Sequence, residues 1–159
     1  MPAMRNVFIV FFTLLPFALY GQQSDRKLLY NAISSSEIVK IDNALVAYRK
    51  IPQPETEAYL GVLLMKKAGL VKDRREKLTL FKDGHAKLEH AIALDSSKTE
   101  FRFFRLMIQE HAPHFLGYYK DIEKDCLFIK NHYRLLSPTI KQFIINYSQT
   151  SDALGVLSP

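Results

Sequence analysis

The sequence predicts an all-α protein, because apolar residues recur at helical spacing along nearly all of the chain after residue 21. Steps of three and four residues separate Ile38, Ile41 and Leu45, and the same steps continue from Leu78 to Ile92. No stretch of this region alternates apolar and polar residues over a useful length, as a half-buried strand would. Proline and glycine residues fall mostly between the helical series, which favours helices joined by short turns.

Residues 1–21 are predicted to be a secretory signal peptide rather than part of this domain. Arg5 supplies a positive charge ahead of an almost wholly apolar segment, residues 7–17, and the chain becomes polar from Gln22. The apolar segment is shorter than the ~20 residues that a spanning helix needs, so an uncleaved anchor is the less favoured alternative. We therefore expect an exported protein, periplasmic or secreted, in which residues 22–159 form a single helical domain without a transmembrane segment.

Composition favours a globular domain whose core needs no covalent support. Hydrophobic residues make up 48% of the chain, and Cys126 is the only cysteine, so no internal disulfide can form. Helical spacing from Ile122 and Ile129 predicts that Cys126 is buried. The formal net charge is +6, and much of the excess lies in the segments 66–67 and 72–77. Because acidic residues interrupt the segment 72–77, we interpret it as a solvated loop and helix start, and we expect no nucleic-acid partner.

The first half of the domain is predicted to contain three helices. A short helix ends before the segment 34–37, whose sequence Ser-Ser-Ser-Glu has the form of a capping box for the second helix. Pro52 ends the second helix, and Pro54 fits the first turn of a third one that Gly69 closes as a C-terminal cap. The middle of this third helix, residues 58–65, is apolar on all sides, so we expect it to be the most buried helix.

The second half of the domain is predicted to contain four more helices. A long helix begins near Asp73, and the segment 97–100 has the form of a second capping box that opens the next helix. Proline and glycine interrupt the chain between residues 111 and 119. The last two helices are expected over residues 121–136 and 138–147, with proline in the first turn of the final one.

Small residues recur in this pattern at positions where two helices cross closely. The motif residues are Leu60, Gly61 and Leu64 in one helix, Gly84, Leu88 and Ala91 in the next, and Leu94, Asp95 and Ser96 at its end. On these residues the chain from about 55 to 136 resembles a tetratricopeptide repeat protein, although the connection after Ala68 is about ten residues longer than a repeat of ~34 allows. The segments 105–109 and 113–118 also resemble small exported helical proteins of Bacteroidota.

The tetratricopeptide resemblance implies antiparallel helical hairpins stacked as a short solenoid, with a protein or peptide as partner. In such a stack the first helix of each pair lines the groove, where Arg102, Arg105 and Gln109 form a polar line that suits a carboxylate. The alternative for this line is an ordinary solvated helix face. Tyr118 and Tyr119 are further candidates, either as an exposed aromatic loop or, as we prefer, as a plug between helices.

Two histidines, His111 and His114, offer the only metal-like spacing, three residues apart near a predicted helix end. The sequence shows no third ligand, and the macrodipole alone favours histidine there. No nucleotide-binding glycine loop and no Gly-x-Ser-x-Gly elbow occur, so no catalytic residue and no cofactor are predicted. The expected function is non-catalytic binding of a protein or peptide segment in a helical groove, for instance within a cell-envelope assembly. The alternative is a small-ligand or metal carrier that uses these histidines.

Overall fold

The structure is a computed structural model that describes residues 26–155 and residue 157. Within these residues the chain forms α-helices and two 3₁₀ turns and contains no strand, which confirms the all-α class. The helices are α1, whose described part covers residues 26–34, α2 (Ile38–Tyr48), α3 (Thr56–Leu70), α4 (Arg74–Leu94), α5 (Thr99–Gln109), α6 (Ile122–His132) and α7 (Pro138–Ser148). None of these described helices is long and apolar enough to cross a membrane. The predicted signal peptide lies outside the described residues.

Helices α3 and α4 form the most extensive helix pair of the described fold. Three residues, 71–73, connect them, so the two helices run antiparallel side by side. Gly61 faces Gly84 where they cross, and a Cβ atom on Gly84 would lie 2.6 Å from the carbonyl oxygen of Gly61. Because a larger residue does not fit in that space, these glycines set the distance between the helix axes. The prediction of a close approach at Gly61 and Gly84 is confirmed.

The extra length between the two motif segments belongs to helix rather than to a loop. Helix α4 has 21 residues, and its first turn is capped by Asp73, whose carboxylate accepts a hydrogen bond from the Glu76 backbone N–H at 2.8 Å. Helix α3 continues through Gly69 and ends with Val71 as its C-terminal cap residue. The predicted cap at Gly69 is therefore wrong by two residues.

Helix α5 is the most buried helix, and the prediction that α3 holds this place is wrong. All eleven residues of α5 are buried, whereas α3 buries nine of fifteen. The sequence obscures this position because α5 is strongly polar in part: its buried polar residues are Thr99, Glu100, Arg102, Arg105 and Gln109. Polar groups are costly to bury alone, so the neighbouring helices have to supply their partners.

Glu100 shows how a neighbour supplies such partners at the first turn of α5. Its carboxylate accepts hydrogen bonds from the Tyr30 hydroxyl, from the Arg26 guanidinium at 3.2 Å and from the Tyr59 hydroxyl at 3.4 Å. Burial, reinforced by the Glu100 charge, raises the pKa of Tyr30 and of Tyr59 above the usual range of tyrosine. Because Glu100 is engaged in this way, it does not close the capping box predicted at residues 97–100, and that prediction is wrong.

The remaining helix boundaries follow the sequence more closely. The capping box predicted at residues 34–37 is wrong, since Glu37 is the cap residue of α2 and its backbone N–H donates to the Ser35 hydroxyl at 3.0 Å. Helix α6 and the 3₁₀ turn Tyr133–Leu135 together fill the predicted helix over 121–136. Helix α7 begins at Pro138, which occupies the first turn as predicted.

Candidate functional site

The two arginines predicted to line a binding groove lie inside the fold. The Arg105 guanidinium donates to both carboxylate oxygens of Asp125, at 2.6 and 2.8 Å, and to Glu89 at 2.8 Å. Arg102 donates to Asp125 at 3.0 Å, and its guanidinium lies 4.2 Å from the centre of the Phe128 ring. Asp125 is fully buried, so α6 presents an interior carboxylate to both cations of α5.

This arrangement corrects the expectation that the polar line of α5 faces an open groove. The side chains of Arg102 and Arg105 are only 9% and 6% exposed, and their N–H groups donate to residues of α4 and α6 and, for Arg102, also to the Ser96 carbonyl oxygen after α4. The two arginines do bind a carboxylate, but it belongs to Asp125 of the same chain. Gln109 is likewise buried at 3% exposure, and its Oε1 atom has no hydrogen-bond partner among the described residues.

The aromatic residues between α5 and α6 divide into a buried plug and an exposed pair. Tyr118 is buried, its hydroxyl donates to Glu89 at 2.6 Å, and its ring lies 4.5 Å from the His85 ring centre. Burial and the hydrogen bond to Glu89 raise the pKa of Tyr118 above the usual range of tyrosine. The preferred interpretation as a plug is thus confirmed for Tyr118. It is wrong for Tyr119, which is 47% exposed; Phe115 in the same connection is 87% exposed.

The backbone of this connection explains why its neighbouring aromatic residues have different environments. Residues His114–Leu116 form a 3₁₀ turn, and Gly117 follows in the left-handed region with a φ of 66°. Glycine adopts that conformation without the steric cost that a side chain imposes, so the chain reverses direction at this point. Tyr118 then packs against α4 and is buried, while Phe115 stays exposed.

The two histidines considered as metal ligands have different surroundings. His111 Nδ1 lies 3.0 Å from the Met107 carbonyl oxygen of its own helix and 3.4 Å from the Tyr147 hydroxyl. His114 is exposed, and its ring centre is 5.5 Å from that of Tyr119. Among the described residues, no group of three or more histidine, cysteine or acidic side chains is arranged to hold a metal ion.

A groove that the sequence did not reveal lies between α6 and the C-terminal segment 151–154. It is open to solvent and has a volume of about 560 Å³. Its floor is largely apolar and its rim is largely charged; the residues that line it are Glu110, Ile122, Glu123, Cys126, Leu127, Lys130, Asp152 and Ala153. Leu127 is 63% exposed at this groove, which leaves an aliphatic side chain available for contact.

Glu110, the residue that follows α5, fixes the wall of this groove. Its carboxylate accepts hydrogen bonds from the Ser151 hydroxyl at 2.9 Å, the Ala153 backbone N–H at 2.9 Å and the Tyr147 hydroxyl at 2.6 Å. Leu154 is 1% exposed and anchors the same segment in the core. One carboxylate therefore holds the C-terminal segment against α5 and α7, so the groove is a defined feature of the fold.

Cys126 packs against the core and also lines the groove. It is partly buried instead of fully buried as predicted, and its thiol donates to the Ala153 carbonyl oxygen at 3.0 Å. The sequence placed Cys126 correctly on the inner stripe of α6. It gave no sign that residues 151–154 return to this helix, since they contain no helical or strand pattern of their own.

Comparison of this chain with family models, with curated proteins and with solved structures gave no match.

Proposed function

We propose that this chain is an exported, non-catalytic helical module that binds a protein or peptide segment in the groove between α6 and residues 151–154. The apolar segment 7–17 supports export, as the sequence suggests. The groove supports binding of an extended segment, because it is shallow and open and has an apolar floor. We propose no catalytic residue and no cofactor.

We further propose that α3 and α4 form a tetratricopeptide-like unit on which the other helices stack as a short solenoid. The support is the contact of Gly61 with Gly84 and the end of α4 at Leu94, with Asp95 as its cap residue. These are positions at which the motif residues resemble the repeat. Helix α4 departs from the repeat by its length of 21 residues.

The binding proposal rests on Leu127, which is exposed next to the groove wall that Glu110 holds in place by hydrogen bonds. A partner side chain that covers Leu127 and the groove floor gains apolar burial of about 25 cal/mol for each Å² removed from water. The Glu110 hydrogen bonds mean that residues 151–154 need no ordering when the partner binds. Preorganisation of this kind increases affinity because less conformational entropy is lost.

The experiment places a photoreactive amino acid at position 127 in cells that make the protein, and mass spectrometry identifies the crosslinked partner. The matched control carries the same amino acid at position 135, because Leu135 is equally aliphatic and 83% exposed but outside the groove. We expect one dominant adduct from position 127 that is absent from position 135. The same adducts at both positions, or none at either, would contradict the proposal.

A second measurement uses Cys126, the only thiol of the chain, as a reporter inside the groove. The purified partner segment should slow alkylation of this thiol in the parent protein. The substitution Leu127→Arg should abolish that protection, whereas Leu135→Arg should leave it unchanged. Protection that survives Leu127→Arg would place the partner elsewhere on the surface.

A small-ligand or metal carrier built on His111 and His114 gains no support from the described residues. His111 is engaged by its own helix, and the surroundings of the two histidines contain no third ligand for a metal ion.

A further inference from the structure

The N-terminal half of α4 and the turn before it carry five cations that no described residue neutralises. All five are exposed: Lys72, Arg74, Arg75, Lys77 and Lys82. Among the described residues, none of the five forms an ion pair. The helix macrodipole disfavours positive charge at a helix N-terminus, so the stability of α4 gives no reason for these residues. They are available to an anionic partner.

The acidic residues that interrupt this run in the sequence do not interrupt it on the helix. Arg74, Leu78 and Lys82 are four residues apart and form one row along α4, with Arg75 beside it. Glu76 and Asp83 project from the opposite side of the helix. Asp73 is engaged as the N-terminal cap, where it accepts a hydrogen bond from a backbone N–H. The basic row is therefore continuous in space.

This row leads to the exposed aromatic turn between α5 and α6. The Tyr118 ring lies 5.8 Å from the Phe81 ring centre, so the turn packs against α4 next to Lys82. Phe115 and Tyr119 stand on the outside of that turn, at 87% and 47% exposure, and Leu78 is 44% exposed within the row itself. Phe81 and His85, which contact Tyr118, have nearly the same helical phase as Arg74, so the turn adjoins the side of α4 that carries the basic row.

We propose that this basic and aromatic face docks the protein on the surface of a lipid bilayer that contains anionic phospholipids. The face comprises Arg74, Arg75, Leu78, Lys82, Phe115 and Tyr119. Lysine and arginine are attracted by the negative surface potential, and the apolar tips enter the boundary between headgroups and acyl chains. An acidic protein is the less favoured partner, because Phe115 protrudes from a turn, and a protruding ring suits a deformable surface better than another rigid one.

The test measures co-sedimentation of the purified protein with vesicles of phosphatidylcholine alone or mixed with phosphatidylglycerol. We expect binding only to the mixed vesicles, and less binding at high salt because the surface charge is screened. The double substitution Arg74→Glu with Arg75→Glu should weaken binding at least about tenfold. Phe115→Ser should weaken it about threefold or more, because an inserted apolar side chain is lost.

Two matched controls separate this face from net charge and from general hydrophobicity. Arg49→Glu with Lys50→Glu makes the same change of charge at exposed positions after α2, next to the opposite end of the α3–α4 hairpin. Leu135→Ser removes an exposed apolar residue from the turn after α6. Both controls should bind vesicles as the parent does. All variants are purified in their exported form, so that the apolar segment 7–17 of the predicted signal peptide does not contribute to vesicle binding.

Three results would overturn the proposal. Equal binding to neutral vesicles would show that anionic lipid is not recognised. Equal losses in the Arg49/Lys50 and Arg74/Arg75 variants would show that net charge alone governs binding. Full binding by the Phe115→Ser variant, together with displacement by a soluble acidic peptide, would assign the face to an acidic protein. The proposed groove shares no residue with this face, so loss of one function leaves the other testable.

Discussion

Two pairs of arginines in this chain have opposite environments. Arg102 and Arg105 lie in the interior, where Asp125 and Glu89 engage their guanidinium groups. Arg74 and Arg75 lie on the exposed N-terminal end of α4 and form no ion pair among the described residues. In the sequence the α5 pair indicates a binding surface, because the two arginines belong to a polar line along one predicted helix. The sequence around the α4 pair is typical of an ordinary solvated turn.

A charged residue is available to a partner only where the fold does not already supply its counter-ion. Asp125 is twenty positions after Arg105, and its approach depends on how α6 packs against α5. Among the described residues, no acidic side chain pairs with Arg74 or Arg75 at the exposed end of α4. Changes in the interior should therefore cost the most stability, and changes near the exposed end the least.

We expect the largest effect at alkaline pH, where the folded state should lose stability. Tyr30, Tyr59, Tyr118 and Tyr147 have raised pKa values, chiefly because burial disfavours the phenolate and partly because a glutamate lies near each hydroxyl. Above about pH 10 the unfolded chain releases these protons while the native state keeps them, so stability falls as pH rises. Four such groups cost about 5 kcal/mol for each pH unit above that point. Urea unfolding at several pH values measures this slope.

The substitution Tyr118→Phe sharpens that prediction. It removes one of the four phenols with a raised pKa, so the slope of stability against pH above about 10 should fall by about one quarter. At neutral pH the variant should lose about 1 kcal/mol, because the hydrogen bond to Glu89 is gone. An unchanged slope would mean that Tyr118 titrates freely in the native protein.

The next largest effect is expected from Asp125→Ala. This change leaves Arg102 and Arg105 buried without their shared carboxylate, and removal of one partner from a buried ion pair costs about 3–5 kcal/mol. The free energy of unfolding in urea measures the loss. Asp83→Ala on the exposed part of α4 is the matched control, and it should change stability by less than about 0.5 kcal/mol. Similar losses in the two variants would contradict the interior role of Asp125.

A smaller loss is expected from Gly84→Ala in the α3–α4 crossing. The added Cβ would meet the Gly61 carbonyl oxygen at 2.6 Å, and that atom belongs to the backbone, so the helices have to separate. Overpacking of this kind costs about 1–3 kcal/mol. Gly61→Ala should act similarly, because its Cβ would meet the Gly84 carbonyl oxygen at 2.8 Å. Denaturant unfolding of both variants checks this, and a loss near zero in both would exclude the tight crossing.

The helices themselves were predictable because apolar spacing and proline positions are local signals. The close approach at Gly61 and Gly84 was also predictable, since glycine inside an apolar helical pattern indicates contact with another backbone. The burial of α5 was not, because hydrophobicity is a poor guide when a helix carries Glu100, Arg102 and Arg105 into the interior. Their partners lie on α1, α3, α4 and α6, and no local pattern encodes that pairing.

The candidate sites were less predictable than the helices. The groove depends on residues 151–154, which fold back onto α6 through hydrogen bonds to Glu110. The basic face depends on helical phase, which separates Arg74 and Arg75 from Glu76 although the three are adjacent in sequence. The capping box predicted at residues 97–100 does not form, because the partners of Glu100 are distant in sequence.

The smallest effect is expected from Gly69→Ala, at the end of α3 beside the exposed start of α4. Here a Cβ atom would meet nothing within 4 Å, and the residue lies inside the helix. Alanine should therefore stabilise the protein by about 0.5–1 kcal/mol, because it loses less backbone entropy than glycine. Thermal or urea unfolding measures the gain. A loss of stability instead would mean that α3 ends at a left-handed glycine cap, as the sequence alone suggests, and the turn before the basic row would then begin two residues earlier.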